Sequence, residues 1–153
     1  MRFASIVLTF ALVASVSAQE EKIVFETDSL YHHIIVSETP DIRILRFHKG
    51  PAKEALRSDF AQSVISLADP YSLHMNYSKY AMVGAALVEK PKRALCIGLG
   101  AGTLPKFFAT KFPECQVDVA ELDPKVVDVA RNYFFLPEMP NLSVLRVEGA
   151  RLA

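Results

Sequence analysis

Residues 93–103 read RALCIGLGAGT: an apolar run that turns through Gly98, Gly100 and Gly102 and passes directly into Thr103. Apolar residues ending in closely spaced glycines predict a buried parallel strand bending sharply into a crossover helix. Side chains there would forbid the positive φ such a bend often takes, or block whatever approaches its backbone. The next apolar run, 116–120, ends in Glu121-Leu122. Glycine turn, helix and strand-end acid in that order form the fingerprint of a nucleoside-binding α/β crossover. A dinucleotide fingerprint needs its third glycine one place later, where Thr103 stands. The spacing here suits a ligand without a pyrophosphate, such as an S-adenosyl sulfonium. The competing readings are a packing turn for the glycines and a solvated strand-end acid for Glu121.

Outward from this bend, Thr103 is expected to cap a helix that tolerates Pro105 in its first turn and runs to about Phe112. Asp123 followed by Pro124 is a cap with proline at the first helical position, opening a helix over 124–133 that buries Val126, Val127, Val129 and Ala130. Residues 142–147 give a third strand, completing strand, helix, strand, helix, strand, the order of a mononucleotide-binding half. Ahead of it, 77–89 favours a helix packed on a sheet and ended by Pro91, and 94–97 is apolar enough for burial on both faces. In a sheet ordered 3-2-1, however, strand 94–97 is an edge with an uncovered apolar face. The chain therefore reads as a shortened one, or as one whose edge a partner or the amino-terminal unit covers.

That unit is a hairpin of strands 33–36 and 42–47 around Thr39-Pro40-Asp41, with a third strand at 62–67 after a polar stretch and a break at Asp69-Pro70. The expected fold class is α/β: a small N-terminal antiparallel β unit followed by the first half of a Rossmann-like parallel sheet. Arg2, the apolar stretch 3–16 and the small residues Val16-Ser17-Ala18 read as a secretory signal, too short for the ~20 residues that span a bilayer. The divisions are thus a signal peptide over 1–18, a hairpin unit over 19–72 and a partial nucleoside-binding domain over 73–153, in a secreted or periplasmic protein. With 153 residues, 51% hydrophobic, and 17 basic against 17 acidic side chains, the chain is globular and implies no basic face for nucleic acid.

Cys96 and Cys115 fall at opposite ends of parallel strands and are read as two separate thiols. His32 and His33 point to opposite faces of a strand, and no helical i, i+4 histidine pair exists, so no metal site is expected. Phe107-Phe108 and Phe134-Phe135 are read as sheet-covering core.

The hairpin YHHIIVSETPDIRILRF (31–47), the helix opening MNYSKYAM (75–82), the turn CIGLGAG (96–102), the segment VDVAELDPKVVDVAR (117–131) and NYFFLP (132–137) resemble the spermidine synthase, or polyamine aminopropyltransferase, family within the class I S-adenosylmethionine fold. The resemblance implies that Gly98, Gly100 and Gly102, with Leu99 between them, approach the methionine-derived tail of the nucleoside. It further implies that Glu121 binds the ribose hydroxyls, that Leu122 lies against the adenine and that Tyr77 stands at the mouth of an amine pocket. From the residues alone, Tyr77 reads as helix core. The donor implied is S-adenosylmethionine or its decarboxylated form, with no metal, a small-molecule amine as acceptor and a homodimer as the common assembly. Ala101 stands where the family commonly has an acid for the donor ammonium, and a buried ammonium without a carboxylate costs several kcal/mol. Ser78 and Lys79 also depart from the pattern, as do Gly149 and Ala150 after the third strand. No catalytic base is named, because the family's aspartates come from a later loop. An aminopropyltransferase, a methyltransferase using the intact donor and a non-catalytic secreted module all remain open.

Overall fold

The computed structural model describes residues 20–49, 52–56 and 60–146. The expected signal peptide, Val147, Gly149 and Ala150 lie outside these residues. Eleven elements follow in order: β1 (Lys22–Asp28), β2 (His33–Glu38), β3 (Ile42–His48), the single turn α1 (Ala52–Ala55), β4 (Ser63–Ser66), α2 (Asn76–Ala86), β5 (Arg93–Ile97), α3 (Thr103–Lys111), β6 (Gln116–Glu121), α4 (Pro124–Tyr133) and β7 (Leu142–Arg146).

Strands β1 to β4 form an antiparallel meander in sequential order, and β5, β6 and β7 form a parallel sheet with β6 in the middle. The hairpin lies where the sequence puts it, with Val36 opposite Leu45 and Ser37 opposite Ile44. Strand β1 is an addition to the expected unit. Its apolar run is only Ile23-Val24-Phe25, set among Lys22, Glu26 and Asp28, because it is a half-exposed edge paired on one side to β2. A single core joins the two sheets: Ile34, Val36, Leu45 and Ile65 pack in one cluster with Leu99, Val119, Val126, Val129, Phe134 and Leu136.

Helix α4 forms as the sequence predicts. Asp123 accepts from the Lys125 N–H at 2.9 Å, Pro124 sits at the start, and Val126, Val127, Val129 and Ala130 are buried. Its final carbonyls meet two cations: Arg43 of β3 donates to Tyr133 O at 2.6 Å and Lys106 of α3 to Phe134 O at 2.9 Å. These carbonyls lack intrahelical partners and lie at the negative end of the helix dipole, where cations are favourable.

Three expectations need correction. Strand β5 is not buried on both faces: Leu95 is 65% and Ile97 88% exposed, because among the described residues β5 is an edge. Helix α2 is not packed on a sheet, since Ser78 is its buried residue while Tyr80 and Val83 face out; alanine-rich propensity makes the helix without supplying a surface to cover it. Phe134 is core as expected, but Phe135 takes a left-handed φ of 55° and lies half exposed under the Arg43 guanidinium, whose carbon is 5.6 Å from the ring centroid.

Candidate nucleoside-binding site

A cavity of about 710 Å³ opens above the carboxyl ends of β5 and β6. Gly98, Leu99, Gly100, Thr103 and Glu121 line it from the parallel half; Tyr77 joins from α2, and His32, Phe47, Gln62 and Ser63 from the antiparallel half. The carboxyl edge of a parallel sheet is where crossover loops leave room for a ligand.

Glu121 is turned toward the glycine bend. Its Oε2 accepts from the Leu99 N–H at 2.7 Å and its Oε1 from the Asp123 N–H at 2.8 Å, with the side chain nearly buried. Each carboxylate oxygen can accept more than one hydrogen bond, so both keep capacity for a hydroxyl donor. The Gly98 N–H donates to Ala120 O at 2.8 Å, tying the bend to the strand that carries the acid.

The three glycines have different reasons for being glycine. All have positive φ: 87° at Gly98, 55° at Gly100 and 71° at Gly102. A Cβ on Gly98 would meet nothing within 4 Å, so this backbone borders open space. A Cβ on Gly100 would stand 2.9 Å from Ser63 Oγ, and one on Gly102 2.8 Å from Leu136 Cδ1. Close approach by a ligand is therefore geometrically available at Gly98, whereas Gly100 and Gly102 admit the protein's own side chains. Gly102, not Thr103, is the cap of α3, and no side chain caps that end; Thr103 is the first helical residue.

Tyr77 is half exposed, lines the cavity and donates its hydroxyl to Gln62 O at 3.3 Å, so it is not the core residue its helical neighbours imply. Leu122 is 44% exposed at the strand tip, outside the residues that line the cavity. Ala101 is fully buried behind the bend. Cys96 and Cys115 are both free, and burial pushes both thiols up, away from thiolate chemistry. His32 stacks on Phe47 with centroids 4.1 Å apart, and His33 bridges Asp28 at 2.6 Å and Glu26 at 3.0 Å.

The sequence reading missed the wall that the antiparallel sheet contributes. His32, Phe47, Gln62 and Ser63 carry no local signal, because tertiary packing alone brings them to the bend. Lys106 was missed as well. A lysine in a helix reads as solvated, yet this one is fully buried, with its Nζ 4.8 Å from the Tyr71 centroid, and desolvation pushes its pKa down to about 8 against a weaker upward pull from Asp69.

No family model matches the chain. Among curated proteins, the polyamine aminopropyltransferase of Vibrio vulnificus is 33% identical over 145 residues, 91% of this chain and 46% of the relative. The eEF1A lysine and N-terminal methyltransferase of Xenopus laevis is 34% identical over 98 residues, 60% of this chain and 14% of the relative. Among solved structures, a probable spermidine synthase from Corynebacterium glutamicum aligns with a TM-score of 0.66 at 21% identity, covering 83% of this chain and 45% of that one. A spermidine synthase in complex with the transition state analogue AdoDATO aligns at 0.59 and 20% identity, covering 82% and 40%. The chain thus spans about half the length of the aminopropyltransferase relatives it matches. In sequence and fold together, this chain is a homologue of the polyamine aminopropyltransferases, built on the class I S-adenosylmethionine fold.

Proposed function

We propose that the cavity binds an S-adenosyl nucleoside and that the chain is the donor-binding part of a spermidine synthase-like transferase. The observation that carries this reading is the Glu121 carboxylate held against the glycine bend, beside backbone at Gly98 that has no side chain in the way. Two vicinal ribose hydroxyls donate to the lone pairs of Glu121 that the Leu99 and Asp123 amides leave available. The bend passes the tail of the nucleoside toward Tyr77, where a small amine would stand. A sulfonium is a good leaving group, so the protein's work is to position and desolvate the attacking amine. The described residues assign no catalytic base. The reading extends to an exported protein directed by residues 1–18, to the 19–72 and 73–153 division and to a homodimer, supported by the residue patterns and the resemblance already given.

A second reading has its own support. The amino-terminal turn of α3 has no side-chain cap and borders the cavity at Thr103, Leu104 and Pro105. Helix N-termini favour carboxylates, and the tail of intact S-adenosylmethionine carries one whereas the decarboxylated donor does not. Glu121 is the one carboxylate lining the cavity among the described residues, so with Glu121 on the ribose no second acid there faces the ammonium of a decarboxylated donor. This arrangement favours a methyltransferase-type donor.

Calorimetry with S-adenosylmethionine, decarboxylated S-adenosylmethionine and methylthioadenosine separates the readings. Tighter binding of the decarboxylated donor supports aminopropyl transfer, and tighter binding of the intact donor supports methyl transfer. Glu121→Gln is expected to weaken whichever binds by at least about tenfold, the worth of one charged hydrogen bond. Failure of all three to bind would leave a non-catalytic module.

A further inference from the structure

We propose that Ser63 is the positioning residue of the glycine bend: from the start of β4 its hydroxyl holds the Ala101 N–H and so sets where Gly98 and Leu99 face the cavity. The inference rests on the nucleoside-binding reading for the ligand used as a probe, and on geometry for the rest. Ser63 is almost fully buried, and its Oγ accepts from the Ala101 N–H at 3.2 Å across 38 residues of sequence. Among the described residues this is the hydrogen bond that ties the bend to the antiparallel sheet.

The fit is reciprocal. A Cβ at position 100 would stand 2.9 Å from the same Oγ, so the hydroxyl reaches the Ala101 amide because Gly100 has no side chain. The other ties of the bend are internal to the parallel half: Gly98 N–H to Ala120 O, Leu99 N–H to Glu121 Oε2 and Gly102 N–H to Leu99 O. Ser63 itself is placed by the β3–β4 ladder, where it pairs with Leu45, and the neighbouring Gln62 N–H donates to Leu45 O at 2.8 Å. One hydroxyl therefore links the wall carrying His32, Phe47 and Gln62 to the wall carrying Gly98 and Glu121. Because Ala101 is fully buried, its amide without Ser63 would be a buried donor lacking an acceptor, and the bend would have to move to find one.

The test uses the 153-residue chain with methylthioadenosine as the probe, read by calorimetry, by hydrogen exchange at the Ala101 amide and by thermal unfolding. Ser63→Ala is expected to accelerate exchange at Ala101 about tenfold and weaken the probe by a similar factor, with a fall in melting temperature of no more than the few degrees that one lost hydrogen bond accounts for and protection elsewhere in the parallel sheet retained. Ser63→Thr keeps the hydroxyl and should restore both. Should the added methyl prevent folding, Gly100→Ala in the Ser63 and Ser63→Ala backgrounds replaces it. The substitution should cost more probe affinity where the hydroxyl is present, because the clash is with that oxygen. Unchanged protection at Ala101 in Ser63→Ala, or a loss spread evenly over the parallel sheet with a matching fall in melting temperature, would overturn the proposal. If the unchanged chain binds neither methylthioadenosine nor either form of S-adenosylmethionine, the nucleoside reading fails alone, and exchange at Ala101 still decides the role of Ser63.

Discussion

Helices α4 and α2 are both built on apolar residues, but those residues meet opposite conditions. Helix α4 seats Val126, Val127, Val129 and Ala130 in one cluster with Val119 of β6 and with Ile34, Val36, Leu45 and Ile65 of the antiparallel sheet. Around α2 and the edge strand β5, Tyr80, Val83, Leu87, Leu95 and Ile97 are 63–88% exposed. Residues of the same kind stabilise the fold in one place and contribute little in the other, because burial is a property of the opposing surface rather than of the side chain. Helix α4 inherits two such surfaces, whereas β5 packs only its Ala94 and Cys96 face and the described residues supply no surface over Leu95 and Ile97.

The largest expected effect breaks or keeps that contrast outright. Phe134→Ala empties a fully buried site and should cost about 3–5 kcal/mol, whereas Leu87→Ala, at an exposed position just beyond α2, should stay within about 0.5 kcal/mol. Urea unfolding of both variants measures it. Comparable losses would mean that the α2 flank is packed in solution.

Lys106 probes the packed side through charge. Its folded pKa of about 8 lies below the 10.5 of the exposed side chain, so between those values the unfolded chain binds more protons than the folded one. Stability contributed by this site therefore rises with pH across that window, by at most roughly 1.4 kcal/mol per unit. Lys106→Met, which keeps the length and loses the charge, should flatten the rise in chemical denaturation curves taken at pH 7.5 and 10. An identical slope in the two proteins would place Lys106 in water.

Arg43 tests the junction between the sheets. It donates to Tyr133 O at 2.6 Å and to Glu38 Oε2 at 2.7 and 3.0 Å while covering Phe135. Arg43→Ala removes these together and should cost about 1–3 kcal/mol. Proteolysis near Phe135 should rise with it, since a non-glycine residue at positive φ persists only where its surroundings hold it.

These same places show what was legible in the sequence. Asp123-Pro124 and the spacing of four apolar residues contain everything α4 needs, because cap, start and buried face all lie within ten residues. The glycine bend and Glu121 were legible for the same reason, each sitting at the end of its own strand. The burial of Lys106, the exposure of Tyr77 and the contact of Ser63 with Ala101 join residues far apart in the chain, and no local periodicity encodes them. Strand β1 was lost because an edge strand carries charges that blur its alternation, and the packing of α2 was misread because propensity is silent about what lies opposite.

The smallest effect sits at the rim of the packed region, where β1 joins β2. The protonated His33 ring donates to the Asp28 and Glu26 carboxylates, and the Asp28 hydrogen bond first, with the Asp28 charge and the hydrogen bond and charge of Glu26, holds the pKa of His33 above its ordinary value against an opposing desolvation. A raised folded pKa means that the clamp contributes fully below about pH 6.5 and is lost as pH climbs through the folded value. Asp28 is 83% and Glu26 44% exposed, so water and salt screen both pairs and the contribution is a few tenths of a kcal/mol. His33→Gln should therefore lower stability slightly at pH 5.5, not at pH 9, and the difference should shrink in 1 M salt. A loss of equal size at both pH values would instead assign His33 a packing role opposite His48, its partner in β3, and would move the boundary of the well-packed region outward by one strand.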